Sequence, residues 1–160
     1  MGCWGGPGDG PLTIDLDSTN CETYGLDKED VRRHSYQGQR GYHPLLAVAA
    51  STGDVLMARL RQGRANTARG AANFLRETVS QVRYAGAKGQ LTLRADSGFY
   101  NHAVAAACRK MKVRYSITIR QSESLRNLIE AIPEEDWTPI PYWMEDAADG
   151  AETAYIPFET

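Results

Sequence analysis

The stretch Leu12-Thr13-Ile14-Asp15-Leu16-Asp17-Ser18 decides how the rest of the chain is read. Leu12, Ile14 and Leu16 alternate with Thr13, Asp15 and Asp17, the period of a strand with one apolar and one polar face. Both aspartates fall on the polar face. Strands disfavour Asp, and two on one face cost stability unless a partner or a metal ion compensates them. The stretch therefore reads as the first strand of a sheet and as a candidate carrier of chemistry, the plain alternative being a solvated strand face.

Upstream, Met1 to Pro11 is punctuated by Gly2, Gly5, Gly6, Gly8, Gly10 and two prolines and reads as a flexible lead-in. Downstream, the stretch from Thr19 to Gly41 is polar and Gly-punctuated, and Gly38 to Gly41 reads as a loop. His43 to Ala50 and Val55 to Leu60 then give two apolar strands joined by a turn at Ser51-Thr52-Gly53-Asp54, a hairpin. Three consecutive antiparallel strands follow. Asn66 is a good helix N-cap, and Ala68, Ala72, Leu75, Val79 and Val82 beyond it form an amphipathic stripe that Gly86 and Gly89 end. Gln90 to Ala95 is a strand that delivers Asp96 at its carboxyl end. Asn101 caps a second helix with Val104, Ala107, Cys108 and Met111 on its buried face, Val113 to Ile119 is a fifth strand, and Ser122 opens a third helix carrying Leu125, Leu128, Ile129 and Ile132. Past Pro133 the acidic, proline-punctuated tail reads as irregular or weakly strand-forming, and no internal repeat is visible.

The chain thus divides into a lead-in (1–11), a core (12–132) and a tail (133–160). The element order predicts an α/β fold: a mixed five-stranded sheet of three antiparallel strands, then strands alternating with helices, flanked by helices. That order matches the ribonuclease H-like arrangement, in which the first and fourth strands are neighbours. Asp15 or Asp17 would then stand beside Asp96.

A chain of 160 residues that is 42% hydrophobic has room for one core. Cys3, Cys21 and Cys108 are odd in number and form no Cys-x-x-Cys pair, so neither a disulfide framework nor a thiolate zinc site is indicated and a reducing cytoplasm is expected. No apolar run approaches the roughly 20 residues that cross a bilayer, and no basic region followed by an apolar stretch opens the chain. The net charge of -2 conceals a segregation: sixteen of the 18 Lys and Arg lie within residues 31–120, against only Asp54, Glu77 and Asp96 there. Such a bias predicts a positive surface for a polyanion. Arg59, Arg61, Arg64 and Arg69, around the end of the third strand and the start of the first helix, are the candidates to hold phosphates. Ser18 and Ser97 lie outside any Gly-x-Ser-x-Gly sequence, His34, His43 and His102 lack zinc-site spacing, and no Gly-x-x-x-x-Gly-Lys sequence is present, so no nucleotide cofactor is expected.

Two carboxylates brought together on neighbouring strands repel unless a hard divalent cation shares them. Mg2+ is the expected ion and Mn2+ its substitute, with Asp17 or Asp15 placed to bridge two ions about 3.5–4 Å apart and Asp96 completing one shell. Asp96-Ser97-Gly98 also fits the plainer role of a turn that caps a helix.

Leu16-Asp17-Ser18-Thr19 and Arg94-Ala95-Asp96-Ser97-Gly98-Phe99-Tyr100 resemble the DDE transposases of bacterial insertion sequences, and the similarity extends from about Leu12 to Ile132. The resemblance implies a ribonuclease H-like catalytic domain with Asp17 as the first catalytic aspartate and metal ligand, Asp96 as the second, and Asp15 as a second-choice neighbour. It matches Arg120 to the basic residue that ends the strand after the second aspartate. It further implies element-end and target DNA as partners, a homodimer on DNA, and hydrolytic cleavage followed by strand transfer at a two-metal site. The family's third ligand, a Glu in a Tyr-x-x-Arg-x-x-x-Glu pattern, has no counterpart; Glu145 and Glu152 lie in the tail. The chain therefore resembles a truncated catalytic core, expected to be inactive alone, with residues 137–158 beginning a β insertion. Two other readings stay open: a ribonuclease H-like nuclease or resolvase without strand transfer, and a non-catalytic DNA-binding remnant.

Overall fold

The alternation at Leu12 folds as its period predicts: Leu12–Ser18 is strand β1, with Leu12, Ile14 and Leu16 buried and Asp17 exposed. The computed structural model describes residues 8–24, 28, 32–33, 40–140 and 151–157. It separates into two compact units, Met1–Ile119 and Arg120–Thr160. Ahead of β1, residues 8–11 form no regular element; Lys88 N–H donates to Gly8 O (2.7 Å), and Leu12 N–H, at the start of β1, donates to Gln90 O (3.0 Å).

The polar stretch after β1 is not all irregular: Arg40 and Gly41, read as the end of a loop, lie in a strand, while residues 38–39 lie outside the described residues. It holds three short strands, β2 (Cys21–Glu22), β3 (Arg32–Arg33) and β4 (Arg40–Tyr42), paired in the order β2-β4-β3. Strands of two or three residues are too short to show a period, so hydrophobic patterning cannot reveal them. Gly41 is the residue that permits the pairing: a Cβ there would stand 2.3 Å from the Cys21 carbonyl oxygen.

β5 (Leu45–Ala49) and β6 (Val55–Arg59) form the expected hairpin, and β5 pairs antiparallel with β1. Helix α1 (Ala71–Tyr84) follows, and it begins later than Asn66 suggests. Gly70, at φ 76°, occupies the N-cap, while the Asn66 side chain accepts from Ala68 N (2.9 Å) and closes a local turn. Asn66 therefore caps nothing. Strand β7 (Leu91–Ala95) lies parallel to β1; α2 (His102–Lys110) then leads into β8 (Arg114–Ile117), parallel to β7. Here the sequence signal holds, for the Asn101 side chain accepts from Val104 N (3.0 Å).

The resulting sheet has the order β6-β5-β1-β7-β8 and is mixed, an α/β arrangement consistent with the ribonuclease H-like fold. Helix α1 contacts β5, β6 and α2, and α2 contacts β8. Their apolar sides, Phe74, Leu75 and Val79 on α1 with Val104, Ala107 and Cys108 on α2, close over Ile14, Leu45, Leu91 and Leu93. The second unit contains α3 (Glu123–Glu130), capped by Ser122 Oγ accepting from Leu125 N (3.2 Å), and an antiparallel pair, β9 (Thr138–Ile140) with β10 (Ala151–Thr153). The tail thus contains strands. No residue of α3 is buried, and Ile132 lies beyond its end. Among the described residues no helix is long and apolar enough to cross a membrane.

Burial in this core pushes the Cys108 thiol up to about 11 from an ordinary 9.0. A group that holds its proton more tightly when folded stabilises the fold below its unfolded pKa, and that contribution is lost as pH rises through the folded value. In a Cys3→Ser background, exposed Cys21 is expected to react promptly with a disulfide reagent at pH 8 and Cys108 only at the rate of unfolding. The melting temperature should fall between pH 9 and pH 11; equal labelling rates for the two thiols would contradict this account.

Candidate functional site

The register of β1 with β7 sets two side chains side by side. Leu16 pairs with Ala95, so Asp17, still within β1 and paired with Leu46, and Asp96, just past the end of β7, follow next at the same end of the two parallel strands. Each is fixed by one local hydrogen bond. Asp17 Oδ1 accepts from Ser18 N (2.7 Å), and Asp96 Oδ1 accepts from Gly98 N (2.9 Å) at the head of a 3-10 turn, Ser97–Phe99. Phe99, fully buried, anchors that turn in the core. Both carboxylates are exposed, and among the described residues neither meets a basic side chain nor engages its second oxygen.

Asp15 sits differently. It pairs across β1 and β7 with Arg94, whose Nε and Nη2 each donate to one carboxylate oxygen at 2.7 Å. That fork occupies both oxygens and, through the hydrogen bond first and the charge second, holds Arg94 above its ordinary pKa. The two acids of one strand face are therefore separated by partner: Asp15 is neutralised, and Asp17 is open.

In kind, the donor set at the edge fits a hard divalent cation, since each aspartate offers a free oxygen. In number it supplies part of a shell, because no group of three His, Cys, Asp or Glu converges among the described residues.

The arginine segment reaches the same edge. β6 ends with Arg59 opposite Leu45, and Leu45 is opposite Ser18, so residues 60–70 emerge beside the end of β1. Four arginines there have distinct surroundings. Arg59 pairs with Glu77 and lies 5.2 Å over the Phe74 ring. Arg61 turns inward, its Nε donating to His43 O (2.8 Å) and its Nη1 to the carbonyls of Asn66 (3.0 Å), Thr67 (3.0 Å) and Arg69 (2.9 Å). Arg64 and Arg69 are exposed, and their side chains make no hydrogen bond or ion pair among the described residues. Arg120 is exposed in the second unit.

Residues that carry no motif also shape this edge. Thr67 packs on the Asp96 turn: a Cβ built at Gly98 would stand 2.9 Å from Thr67 Cγ2 and 3.1 Å from Asp96 Oδ1. Glycine at 98 thus lets the loop wall close on the carboxylate. His43 is buried with its Nδ1 2.8 Å from Ala65 O; His102 is exposed, and His34 lies outside the described residues. No local pattern announces Thr67, because its role arises from a contact with a turn thirty residues downstream.

The model of the family described as transposase DDE domain group 1 matches residues 8–155. No curated protein sequence matches the chain.

Proposed function

The chain belongs to the transposase DDE domain family, and on that premise we propose that Asp17 and Asp96 are the first two acidic ligands of its DNA-transferring centre. The observation that supports this most is their emergence from adjacent parallel strands with one carboxylate oxygen of each unengaged. Asp15 takes second place because Arg94 occupies both of its oxygens.

The ion these residues would hold is Mg2+, with Mn2+ able to replace it, in a two-metal site once a third acid is supplied. A bound divalent ion lowers the pKa of an attacking water or 3′ hydroxyl and stabilises the leaving oxygen. The protein's own part is to hold and orient. Asp17 and Asp96 would hold the cation at the sheet edge, while Arg64 and Arg69, exposed at the same edge, would contact DNA phosphates. Arg120 is a further phosphate contact. Arg59 and Arg61 spend their hydrogen bonds within the protein.

The substrates under this reading are the ends of a mobile element and its target DNA, joined by a homodimer in the cytoplasm, with residues 12–132 as the working core. Under this reading the 160-residue chain is expected to bind duplex DNA weakly and to show little or no cleavage with Mg2+ or Mn2+. Fluorescence anisotropy with a labelled duplex measures the first point. Affinity should fall as salt rises, and Arg64→Ala and Arg69→Ala should each flatten the logarithmic salt dependence by about 1. An affinity indifferent to salt, or slopes that neither substitution changes, would remove these arginines from the DNA interface.

A further inference from the structure

We propose that Arg61 is a positioning residue, which folds the loop of residues 61–70 so that Thr67 buttresses the Asp96 turn; the proposal rests on the reading of Asp96 as a metal ligand.

One guanidinium organises the whole loop. Arg61 Nη1 gathers three carbonyls, of Asn66, Thr67 and Arg69, and its Nε reaches back to His43 O. The backbone repeats the tie, with His43 N–H donating to Arg61 O at 3.0 Å, and the His43 ring meets Ala65 O. The loop is thereby closed on the residues just ahead of β5 from both of its ends. Asn66 adds the turn onto Ala68 N.

Stability alone gives a poor account of this choice. No carboxylate faces Arg61 among the described residues, burial depresses its pKa, and its Nη2 is buried without an acceptor. A partly buried, unpaired charge with a spare donor is a costly way to tie a loop. What it secures is geometry at one point. Thr67, whose carbonyl Arg61 holds, sets its methyl group over Gly98, 2.9 Å from where a Cβ there would stand, and the Gly98 amide is the donor that fixes Asp96 Oδ1. Arg61 thus acts on the carboxylate through Thr67 and Gly98, and the same fold of the loop sets out Arg64 and Arg69. Partners that orient a ligand from behind typically change metal affinity about 10–100-fold when lost.

Arg83 provides the control. It makes the same kind of bond, Nη1 to the carbonyls of Ala87 (2.9 Å) and Gly89 (2.8 Å), at the opposite end of the sheet. The test uses the full chain as wild type, Arg61→Ala, Arg61→Lys and Arg83→Ala, all checked for folding by circular dichroism. Free Mn2+ is titrated by electron paramagnetic resonance, and the Asp96 and Gly98 amides are followed by nitrogen-15 NMR. Arg61→Ala should weaken Mn2+ binding about 10-fold or more and shift both amides. Arg61→Lys should restore part of the affinity, because an ammonium can serve the same three carbonyls, and Arg83→Ala should change neither reading. A folded Arg61→Ala protein with unshifted Asp96 and Gly98 amides overturns the proposal, as does an equal loss in Arg83→Ala. If the wild type binds no Mn2+, the metal reading fails by itself, and the amide shifts alone still decide whether Arg61 positions the turn.

Discussion

Asp17→Asn and Asp96→Asn are each expected to reduce specific Mn2+ binding by on the order of 100-fold or more, leaving only weak nonspecific association. Asparagine preserves the size of the side chain and the acceptor that meets Ser18 N or Gly98 N. What it removes is the charge and one anionic oxygen, the property a hard cation needs. Loss of an outer partner of a ligand costs about 10–100-fold, so loss of a ligand belongs at or beyond the top of that range. Asp15→Asn is the informative contrast. Both of its oxygens serve Arg94 in an exposed pair, so its removal should leave Mn2+ affinity within a few-fold of wild type and alter stability little. Water-proton relaxation during Mn2+ titration separates the three variants. A larger loss in Asp15→Asn than in Asp17→Asn would invert the assignment of the first ligand.

The same comparison shows what the sequence could and could not disclose. Alternation in β1 predicted its buried face, and the step from Gln90 to Ala95 predicted both β7 and the placing of Asp96 at its end, because each strand carries a full period. The caps at Asn101 and Ser122 were readable for a similar reason, a side chain that satisfies a backbone donor three residues on. Asn66 failed as a cap because the same side chain can satisfy an amide two residues on, and the chain took that option before a left-handed Gly70 began α1. The small sheet β2-β4-β3 left no trace because its strands are shorter than the pattern needed to detect them. At the site, the two aspartates were visible as residues, but the partner that separates Asp15 from Asp17 was not. Arg94 reaches Asp15 across a pairing of strands 79 residues apart in sequence. The arginines show the limit most sharply: four adjacent cations read alike in sequence, while the fold commits Arg59 to Glu77 and Arg61 to backbone carbonyls and leaves Arg64 and Arg69 in solvent.

Phe74→Ala is expected to destabilise the first unit by about 3–5 kcal/mol. Phe74 is fully buried on the side of α1 that faces the sheet, and it and Phe99 are the bulkiest of the fully buried side chains. Its helix touches β5, β6 and α2, so the space vacated by the ring borders three elements whose backbones are held by their own hydrogen bonds and cannot all close inward. The loss reaches the surface as well. Arg59 lies over the ring, and without it the guanidinium keeps Glu77 but loses its aromatic face, so Phe74→Ala and Arg59→Ala should be less than additive by about 0.5–1 kcal/mol. The size of the effect depends on burial rather than on apolarity. Leu128 on α3 is 39% exposed, and Leu128→Ala is therefore expected to cost about 1 kcal/mol or less. Urea unfolding followed by circular dichroism, with the dependence on denaturant checked for constancy, measures both. A Phe74→Ala loss no greater than that of Leu128→Ala would mean that α1 is not packed on the sheet, and with it would go the anchoring of the loop that runs from β6 to Thr67 and the Asp96 turn.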